Sequence, residues 1–229
     1  MAQFHFVEDY EKHVESLMKS HPRDEAMALA VGGRYEETGA IQLEVLRKAG
    51  LAPGMSIFDL GCGSGRLAHA VGTSSLDIDY CGTDVVQALL DYAKTRAPAH
   101  YRFTLHTALS IPADDASIDI ACAFSVFTHL LHHESYLYLR DMRRALRTGG
   151  KVVFSFLEFA MPTHWTVFED TVKTAEERGQ IPLNTFIERN AITKWSLELG
   201  YTVEQFIDGI EPIGELGIFG QSVAMLVKT

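Results

Sequence analysis

Cysteine is scarce in this sequence, and the few cysteines present exclude several kinds of site. Cys62, Cys81 and Cys122 are far apart, their number is odd, and no two of them form a C-x-x-C pair. Each lies in or beside an apolar run, which is typical of buried free thiols in a reducing compartment. We therefore predict free thiols, no zinc or other metal site, and a cytoplasmic location.

Long apolar runs and an excess of basic residues are absent as well. No run is long enough to span a bilayer, and the first residues lack the basic and apolar regions of a secretory signal. The formal net charge is −10, so the surface repels the phosphate backbone of nucleic acids. These absences predict a protein without a membrane or nucleic-acid partner and favour a small-molecule substrate.

The apolar content is sufficient for one sizeable domain, since 47% of the 229 residues are hydrophobic. Residues 1–50 have helical periodicity and no strand. A first helix with apolar residues from Phe6 to Leu17 on one face is followed by predicted helices at 24–31 and about 37–49. We therefore predict an N-terminal helical extension, whose helices are also candidates for a homodimer interface.

From residue 55 the pattern changes to strands that alternate with helices. Strands are predicted at 56–60, 79–83, 101–106, 118–124 and 151–157, with helices at about 66–72, 86–96 and 134–146. This order predicts a doubly wound, parallel α/β sheet with helices on both faces. The segment 51–157 is thus the expected core of the protein.

The alternation stops after residue 157. An insertion at 158–190 precedes a predicted helix at 191–199 and two strands at 201–207 and 222–228. The connection between these strands is rich in glycine and has no helical period, which predicts an antiparallel pair at the sheet edge. The predicted fold is therefore one α/β domain, 1–229, with a mostly parallel seven-stranded sheet, N-terminal helices and a lid-like insertion.

The most informative motif is a glycine-rich turn that follows the first predicted strand. After the apolar pair Ile57-Phe58 the sequence reads Asp59-Leu60-Gly61-Cys62-Gly63-Ser64-Gly65. Turns with so little side-chain bulk occur where a ligand approaches the main chain, and ligands of open α/β sheets bind at the carboxyl ends of the strands. A tight turn without a ligand is the alternative interpretation.

Two common phosphate-binding motifs do not fit this turn. A dinucleotide fingerprint, G-x-G-x-x-G, has a third glycine where this chain has Arg66. A P-loop has Ser or Thr after Gly-Lys, whereas Val152 follows Gly150-Lys151. The ligand is therefore expected to lack a phosphate at this turn.

Asp84 ends the second predicted strand, nineteen residues after Gly65. A carboxylate in this position accepts hydrogen bonds from the ribose hydroxyls of an adenosine. The same residue type also occurs at the start of helices as an N-cap, which is the alternative role.

The pattern Asp59-x-Gly61-x-Gly63-x-Gly65, followed by Asp84, resembles motif I of the class I S-adenosylmethionine-dependent methyltransferases. The resemblance extends over about residues 39–229. It implies S-adenosylmethionine as the cofactor, with the backbone of Gly61 and Cys62 along its methionine part. It also implies that Asp59 holds the turn or binds the amino group of the donor.

Further donor contacts follow from the same resemblance. Val85 is expected to pack on the adenine, and Ala108 and Leu109 are expected to contact it where the family often has an acidic residue. The segment 123–130, which includes Ser125, is similar to the family's segment between donor and acceptor. Residues 146–150 are similar to the helix end and glycine turn before the family's fifth strand.

Methyl transfer is an in-line displacement, and it needs a base only if the acceptor arrives protonated. His129, just beyond the fourth predicted strand, is the candidate base, and a structural histidine is the alternative. Met161, His164, Trp165 and Phe168 in the insertion are candidates for a largely apolar acceptor pocket, and packing of Trp165 and Phe168 onto the sheet is the alternative. Tyr35, which follows Gly32-Gly33 and Arg34, is a candidate gate over the donor.

Two other functional interpretations stay open from the sequence. An NAD-dependent oxidoreductase shares the sheet class, but Arg66 and the terminal strand pair disfavour it. A non-catalytic module that binds a nucleoside and regulates another process would keep the glycine turn and Asp84. The leading interpretation is transfer of a methyl group to a small molecule.

Overall fold

A computed structural model describes residues 7–178 and 183–229 of the chain. The predicted contribution of Phe6 to the first helix lies outside the described residues. Three helices precede the first strand, as the periodicity predicted: α1 (Val7–Ser20), α2 (Arg23–Ala30) and α3 (Tyr35–Lys48). Basic residues in the last turn of α3, Arg47 and Lys48, suit the negative end of its dipole.

The described residues form one seven-stranded sheet with the order β3-β2-β1-β4-β5-β7-β6. Its strands are β1 (Ser56–Leu60), β2 (Asp79–Asp84), β3 (Arg102–Leu105), β4 (Ile118–Ala123), β5 (Leu146–Phe156), β6 (Tyr201–Ile207) and β7 (Ser222–Lys228). The first five strands pair in parallel, and β7 pairs antiparallel with both β5 and β6. The predicted doubly wound sheet with an antiparallel terminal pair is therefore confirmed.

The chain reverses its direction of travel across the sheet after β3. It moves outward from β1 through β2 to β3 and then returns to β4 on the other side of β1. Ligand sites in open α/β sheets lie at such a reversal, at the carboxyl ends of the strands. The glycine turn follows β1 at this position.

Helices cover both faces of the sheet. They are α4 (Arg66–Thr73), α5 (Gln87–Arg96), α6 (His132–Ala145), α7 (Pro162–Arg178) and α8 (Arg189–Leu199). One buried cluster joins α3 and α4 to one sheet face, with Val45, Val71 and Val153 among its members. A second cluster joins α6 and α8 to the other face, with Leu139 and Ile192 among its members. The parallel strands are thus buried on both sides, as a doubly wound sheet requires.

Two elements differ from the sequence-based predictions. Helix α7 fills most of the insertion, where no helix was predicted. Pro162 occupies its first helical position, a place that proline favours, so the proline begins the helix and does not interrupt it. Strand β5 begins at Leu146, so the predicted helix end and glycine turn at 146–150 is wrong in its boundary. The early part of β5 pairs with β4 at a register shift, where Ile118 faces Leu146.

Candidate functional site

The glycine turn after β1 follows a left-handed path that only glycine adopts without strain. Gly61, Gly63 and Gly65 have φ values of 66°, 56° and 85°. A Cβ atom on Gly61 would lie 2.5 Å from Cγ2 of Val126, and one on Gly63 would lie 2.5 Å from Cγ1 of Val31. Side chains are therefore excluded here, and the main chain itself forms the surface of the turn.

Asp84 connects this turn to the next one. It ends β2 and is almost fully buried, and its two carboxylate oxygens accept the N–H groups of Gly63 at 2.9 Å and Val86 at 3.0 Å. Burial raises the pKa of Asp84 to about 6, and the backbone N–H donors oppose that rise. Helix α5 begins at Gln87 with Val86 as its N-cap, so the alternative role of Asp84 as the N-cap is wrong. The contact with Gly63 ties Asp84 to the glycine turn.

Asp59 lies beneath the turn, inside the protein. Its carboxyl group accepts hydrogen bonds from the hydroxyl of Tyr80 and, at 3.5 Å, from Sγ of Cys122. Burial raises the pKa of Asp59 to about 7, although these two bonds and the nearby charge of Arg66 lower it. These contacts join β1 to its neighbours β2 and β4, which fits the predicted role of holding the turn.

Asp59→Asn is expected to make stability less dependent on pH. The Asp59 pKa rises from 3.8 to about 7 on folding, so the folded state binds more protons than the unfolded state between these values. Stability from this group is therefore lost as pH rises through that window, by up to about 1.4 kcal/mol per pH unit. Urea unfolding of Asp59→Asn from about pH 4 to pH 8 should show a flatter decline than the wild type.

Asp114→Asn is the matched control for that measurement, because Asp114 is exposed. Its profile should follow the wild type. If the Asp59→Asn profile were also parallel to the wild type, Asp59 would be ionised in the folded protein throughout the range.

The N-terminal helices pack directly on the glycine turn. The Ser64 hydroxyl donates to the carbonyl of Met27 at 2.9 Å, and Nη1 of Arg66 donates to the carbonyl of Val31 at 2.5 Å. The hydroxyl of Tyr35, the candidate gate residue, donates to the carbonyl of Ser64 at 2.8 Å. Arg66, which breaks the dinucleotide fingerprint, therefore binds the segment that covers the turn.

The joint between α2 and α3 has an unusual backbone. Gly32, Gly33 and Arg34 are consecutive left-handed residues, with φ values of 88°, 73° and 46°. Arg34 is not glycine, so its conformation is strained, and such strain is frequent near functional sites. A Cβ on either glycine would meet open space. Backbone hydrogen bonds from Gly32 to Leu29 and from Gly33 to Ala28 hold the joint to the end of α2.

The residues expected near the adenine lie on the β2 and β3 side of the turn. Val85 is partly buried and packs against the cluster formed by α1, α2 and α5. The carbonyl of Ala108 accepts the hydroxyl of Tyr138 at 3.0 Å, so this oxygen faces α6. Leu109 is partly buried against the α6 side of the core. Their contacts with the donor stay predictions.

Ser125 and His129 follow β4, next to the glycine turn. Ser125 has a left-handed φ of 59°, and its backbone N–H donates to Oγ of Ser155 at 2.7 Å. His129 ends a short 3-10 helix, Phe127–His129, and its Nδ1 lies 2.8 Å from the carbonyl of Leu183. That carbonyl can only accept, so Nδ1 carries the proton. The role of His129 as a base stays a prediction.

Two of the candidate pocket residues of the insertion, Met161 and His164, are buried. Met161 is buried at the start of α7, and His164 is only 1% exposed. Nδ1 of His164 accepts the N–H of Glu158 at 3.0 Å, and Nε2 donates to the carbonyl of Gly220 at 3.2 Å. Burial lowers the pKa of His164. These contacts make His164 a residue that fastens the insertion to the residues before β7.

Trp165 belongs to a half-exposed aromatic group. It is 45% exposed, as is Phe159, and their ring centroids lie 6.1 Å apart. Phe168 lies 5.1 Å from Trp165, and Phe186 stacks on Phe159 at 4.3 Å. We name Phe159, Trp165, Phe168 and Phe186 the aromatic group. It lies just beyond the end of β5, whereas Tyr35 contacts the glycine turn.

Among residues 7–178 and 183–229 there is no group of three or more histidine, cysteine, aspartate or glutamate side chains that could hold a metal ion. Within the same ranges, no helix has the length and the apolar character needed to cross a membrane. The three cysteines are free thiols, as predicted, and burial raises the pKa of Cys62 and Cys122.

Two arrangements at the site have no simple sequence signal. Gly39, in α3, allows the backbone of Arg66 to approach so closely that a Cβ would lie 2.5 Å from its carbonyl oxygen. Gln221, just before β7, accepts hydrogen bonds from the hydroxyls of Ser125 and Ser155. For the contact between Gly39 and Arg66, the available sequence signal was a glycine inside a predicted helix, because such a glycine usually allows close packing.

Known proteins resemble this chain in sequence. Residues 58–154 match a family described as methyltransferase domain. An O-methyltransferase of Pyrenophora dematioidea is 25% identical over 178 residues, which cover 75% of this chain and 63% of that protein. A demethylmenaquinone methyltransferase of Deinococcus radiodurans is 32% identical over 110 residues, which cover 46% of this chain and 44% of that protein. The chain thus spans less than two thirds of both relatives.

The fold also has known counterparts. Magnesium protoporphyrin IX methyltransferase of Synechocystis PCC 6803, solved with bound S-adenosylhomocysteine, matches with a TM-score of 0.68 at 14% identity. The match covers 98% of this chain and 99% of that one. At this level of identity it establishes the shared fold. The sequence match to the methyltransferase domain spans residues 58–154, which include the glycine turn and strands β2, β3 and β4, and the fold is the Rossmann-like fold of S-adenosylmethionine-dependent methyltransferases.

Proposed function

We propose that this protein transfers a methyl group from S-adenosylmethionine to an oxygen atom of a small molecule. The observation that carries the proposal is the glycine turn held by the buried carboxylate of Asp84. A second buried acid, Asp59, lies under the same turn. Two buried carboxylates disfavour a pyrophosphate and suit a donor with an ammonium group and ribose hydroxyls.

The residues at the turn match the parts of such a donor. The backbone of Gly61, Cys62 and Gly63 would border its methionine part, beside the N-terminus of α4 that begins after Gly65. Asp84 has lone pairs left for ribose hydroxyls, since a carboxylate offers about four and two are used by backbone N–H groups. Val85, Ala108 and Leu109 are proposed to border the adenine.

When bound, S-adenosylmethionine supplies a methyl carbon on a cationic sulfur; an oxygen lone pair forms the new bond to that carbon as the carbon–sulfur pair returns to sulfur. The protein needs to align the oxygen with the carbon and keep water out. The N-terminal helices, which pack on the turn through Ser64 and Arg66, are proposed to do the latter. An ionised acceptor needs no base, and His129 is proposed to take the proton of a hydroxyl.

The proposed acceptor region is the cleft beside the ends of β4 and β5. The aromatic group provides a half-exposed apolar surface near it, which suits a small apolar or aromatic acceptor. The names of the two relatives, one an O-methyltransferase and one a demethylmenaquinone methyltransferase, support acceptors of low molecular weight. We propose the insertion, 158–190, as the lid of this cleft.

Thermal unfolding with candidate ligands tests the donor assignment. We expect S-adenosylhomocysteine at about 100 times its dissociation constant to stabilise the protein by about 2.7 kcal/mol, whereas NADH should have no effect. The matched ligand control is adenosine, which lacks the amino acid part and should stabilise less. Stabilisation by NADH alone would favour the oxidoreductase alternative and contradict the proposal.

A further inference from the structure

A glutamine carboxamide lies at the carboxyl edge of the sheet, between the ends of three strands. Gln221 directly precedes β7, which runs antiparallel to β5, so it lies at the edge that carries the glycine turn. Its side chain contacts Ser125, which follows β4, and Ser155, within β5. These residues are far apart in the sequence and meet beside the proposed acceptor cleft.

The hydrogen bonds of this cluster orient the carboxamide. Oγ of Ser155 is fully buried and accepts the N–H of Ser125 at 2.7 Å, so its own proton needs an acceptor. Oε1 of Gln221 is that acceptor at 2.7 Å, and it receives the Ser125 hydroxyl at 3.3 Å as well. The amide oxygen is thus engaged twice, which turns the amide nitrogen away from both serines.

The amide nitrogen has two N–H groups to offer. Across the part of the chain that the structure describes, Nε2 of Gln221 makes no hydrogen bond, and the residue is partly exposed. Ser125 is held at a φ of 59°, which costs free energy in a residue other than glycine. Strained backbone conformations cluster at active sites and ligand clamps, so the unused N–H donors of Gln221 beside Ser125 are candidates for contact with a ligand.

We propose that Gln221 donates a hydrogen bond to an oxygen of the methyl acceptor and thereby selects oxygen over amine acceptors. This inference rests on the proposed methyl transfer. Two N–H donors without a free acceptor suit the lone pairs of a carboxylate, a phenolate or a carbonyl. A protonated amine brings only donors, and it would leave the N–H groups of Gln221 unpaired on closure.

The selection also fits the chemistry of the transfer. A carboxylate or phenolate attacks through an oxygen lone pair and becomes a methyl ester or methyl ether, with no proton to remove. A neutral amide donor orients such an anion without neutralising it, so the lone pair stays nucleophilic. A lysine or arginine in this position would bind the anion more strongly and lower its reactivity.

The first test measures binding without turnover. The protein is saturated with S-adenosylhomocysteine, and saturation-transfer NMR compares benzoate with benzylamine, two probes of similar size and opposite charge. We expect benzoate to bind and benzylamine to bind at least about 10-fold more weakly. Gln221→Glu should reverse this preference, because it replaces the donor by a negatively charged acceptor. Gln205→Glu is the control, since Gln205 is exposed on β6 and adds the same charge away from the cleft.

The second test measures transfer of a labelled methyl group to benzoate and to benzylamine. We expect Gln221→Leu to lose about 100-fold in kcat/KM for the oxygen product, with unchanged affinity for S-adenosylhomocysteine. The inference would be overturned if Gln205→Glu and Gln221→Glu had equal effects in the first test, or if the wild type preferred amines in either test. If the wild-type protein did not bind S-adenosylhomocysteine, the proposed function would be contradicted instead.

Discussion

Asp84→Asn is expected to weaken the binding of S-adenosylhomocysteine by about 100-fold, the largest loss of donor affinity from a single change at this site. A hydrogen bond to a charged group contributes about 1.5–3 kcal/mol, and the carboxylate of Asp84 is proposed to accept from the ribose. An amide would also turn its nitrogen toward the N–H of Gly63 or of Val86, both of which now donate to the carboxylate. Isothermal titration calorimetry gives the affinity directly.

Asp91→Asn is the control for this variant, because Asp91 lies on the exposed side of α5 and pairs with Lys94. It should bind the donor product like the wild type. Near-ultraviolet circular dichroism must show that Asp84→Asn is folded, since the change also touches two buried backbone donors. If Asp84→Asn were folded and bound S-adenosylhomocysteine with wild-type affinity, the role of Asp84 would be only to link the turns that contain Gly63 and Val86.

The pH dependence of donor binding provides a second readout for the same residue. Burial raises the pKa of Asp84 to about 6, and the ionised form is the better acceptor for ribose hydroxyls. The ionised fraction falls as pH falls through 6, so affinity should decrease toward about 10-fold per pH unit below it. Asp59, whose pKa is raised to about 7, titrates in an overlapping range. The difference between the wild-type and Asp84→Asn profiles isolates the contribution of Asp84.

The parts of this site that follow one another along the chain were predictable from the sequence. Alternating apolar strands and helices predicted the sheet, and the spacing of Gly61, Gly63 and Gly65 predicted a backbone surface after β1. Asp84 was predictable because it ends the neighbouring strand. Each of these signals depends on residues that are close in sequence, where local periodicity and turn chemistry decide the structure.

The contacts between distant segments were not predictable in the same way. Ser125, Ser155 and Gln221 meet only because β4, β5 and β7 are neighbours in the sheet. The hydrogen bond from Arg66 to Val31 depends on how α2 packs against the turn. Such contacts arise from tertiary packing, about which local periodicity carries no information.

Helix α7 shows a different reason for a missed element. Trp165, Phe168 and Val172 recur at helical spacing, yet Trp165 and Val172 are exposed rather than buried. The helical spacing was therefore present in the sequence, although it does not mark a buried face here. Pro162 in fact starts the helix, because the first helical position needs no N–H donor.

Gly65→Ala is expected to reduce the free energy of unfolding by about 2–5 kcal/mol. Gly65 has a φ of 85°, which costs any other residue about 1–2 kcal/mol. An added Cβ would also lie 2.7 Å from Cβ and 2.9 Å from Cα of Ala93 in α5. The neighbour is partly backbone, so the helix itself would have to move, at an overpacking cost of about 1–3 kcal/mol.

Gly54→Ala separates these two contributions. Gly54 has a similar φ of 82°, but a Cβ there would meet nothing within 4 Å. Gly54→Ala should therefore reduce the free energy of unfolding only by the cost of the left-handed backbone, about 1–2 kcal/mol as measured by urea unfolding. Because α5 begins just after Asp84, displacement of α5 by Gly65→Ala should also weaken binding of S-adenosylhomocysteine, which Gly54→Ala should leave unchanged. Equal stability losses in the two variants would show that α5 yields to the added methyl group, and that Gly65 is needed for its φ alone.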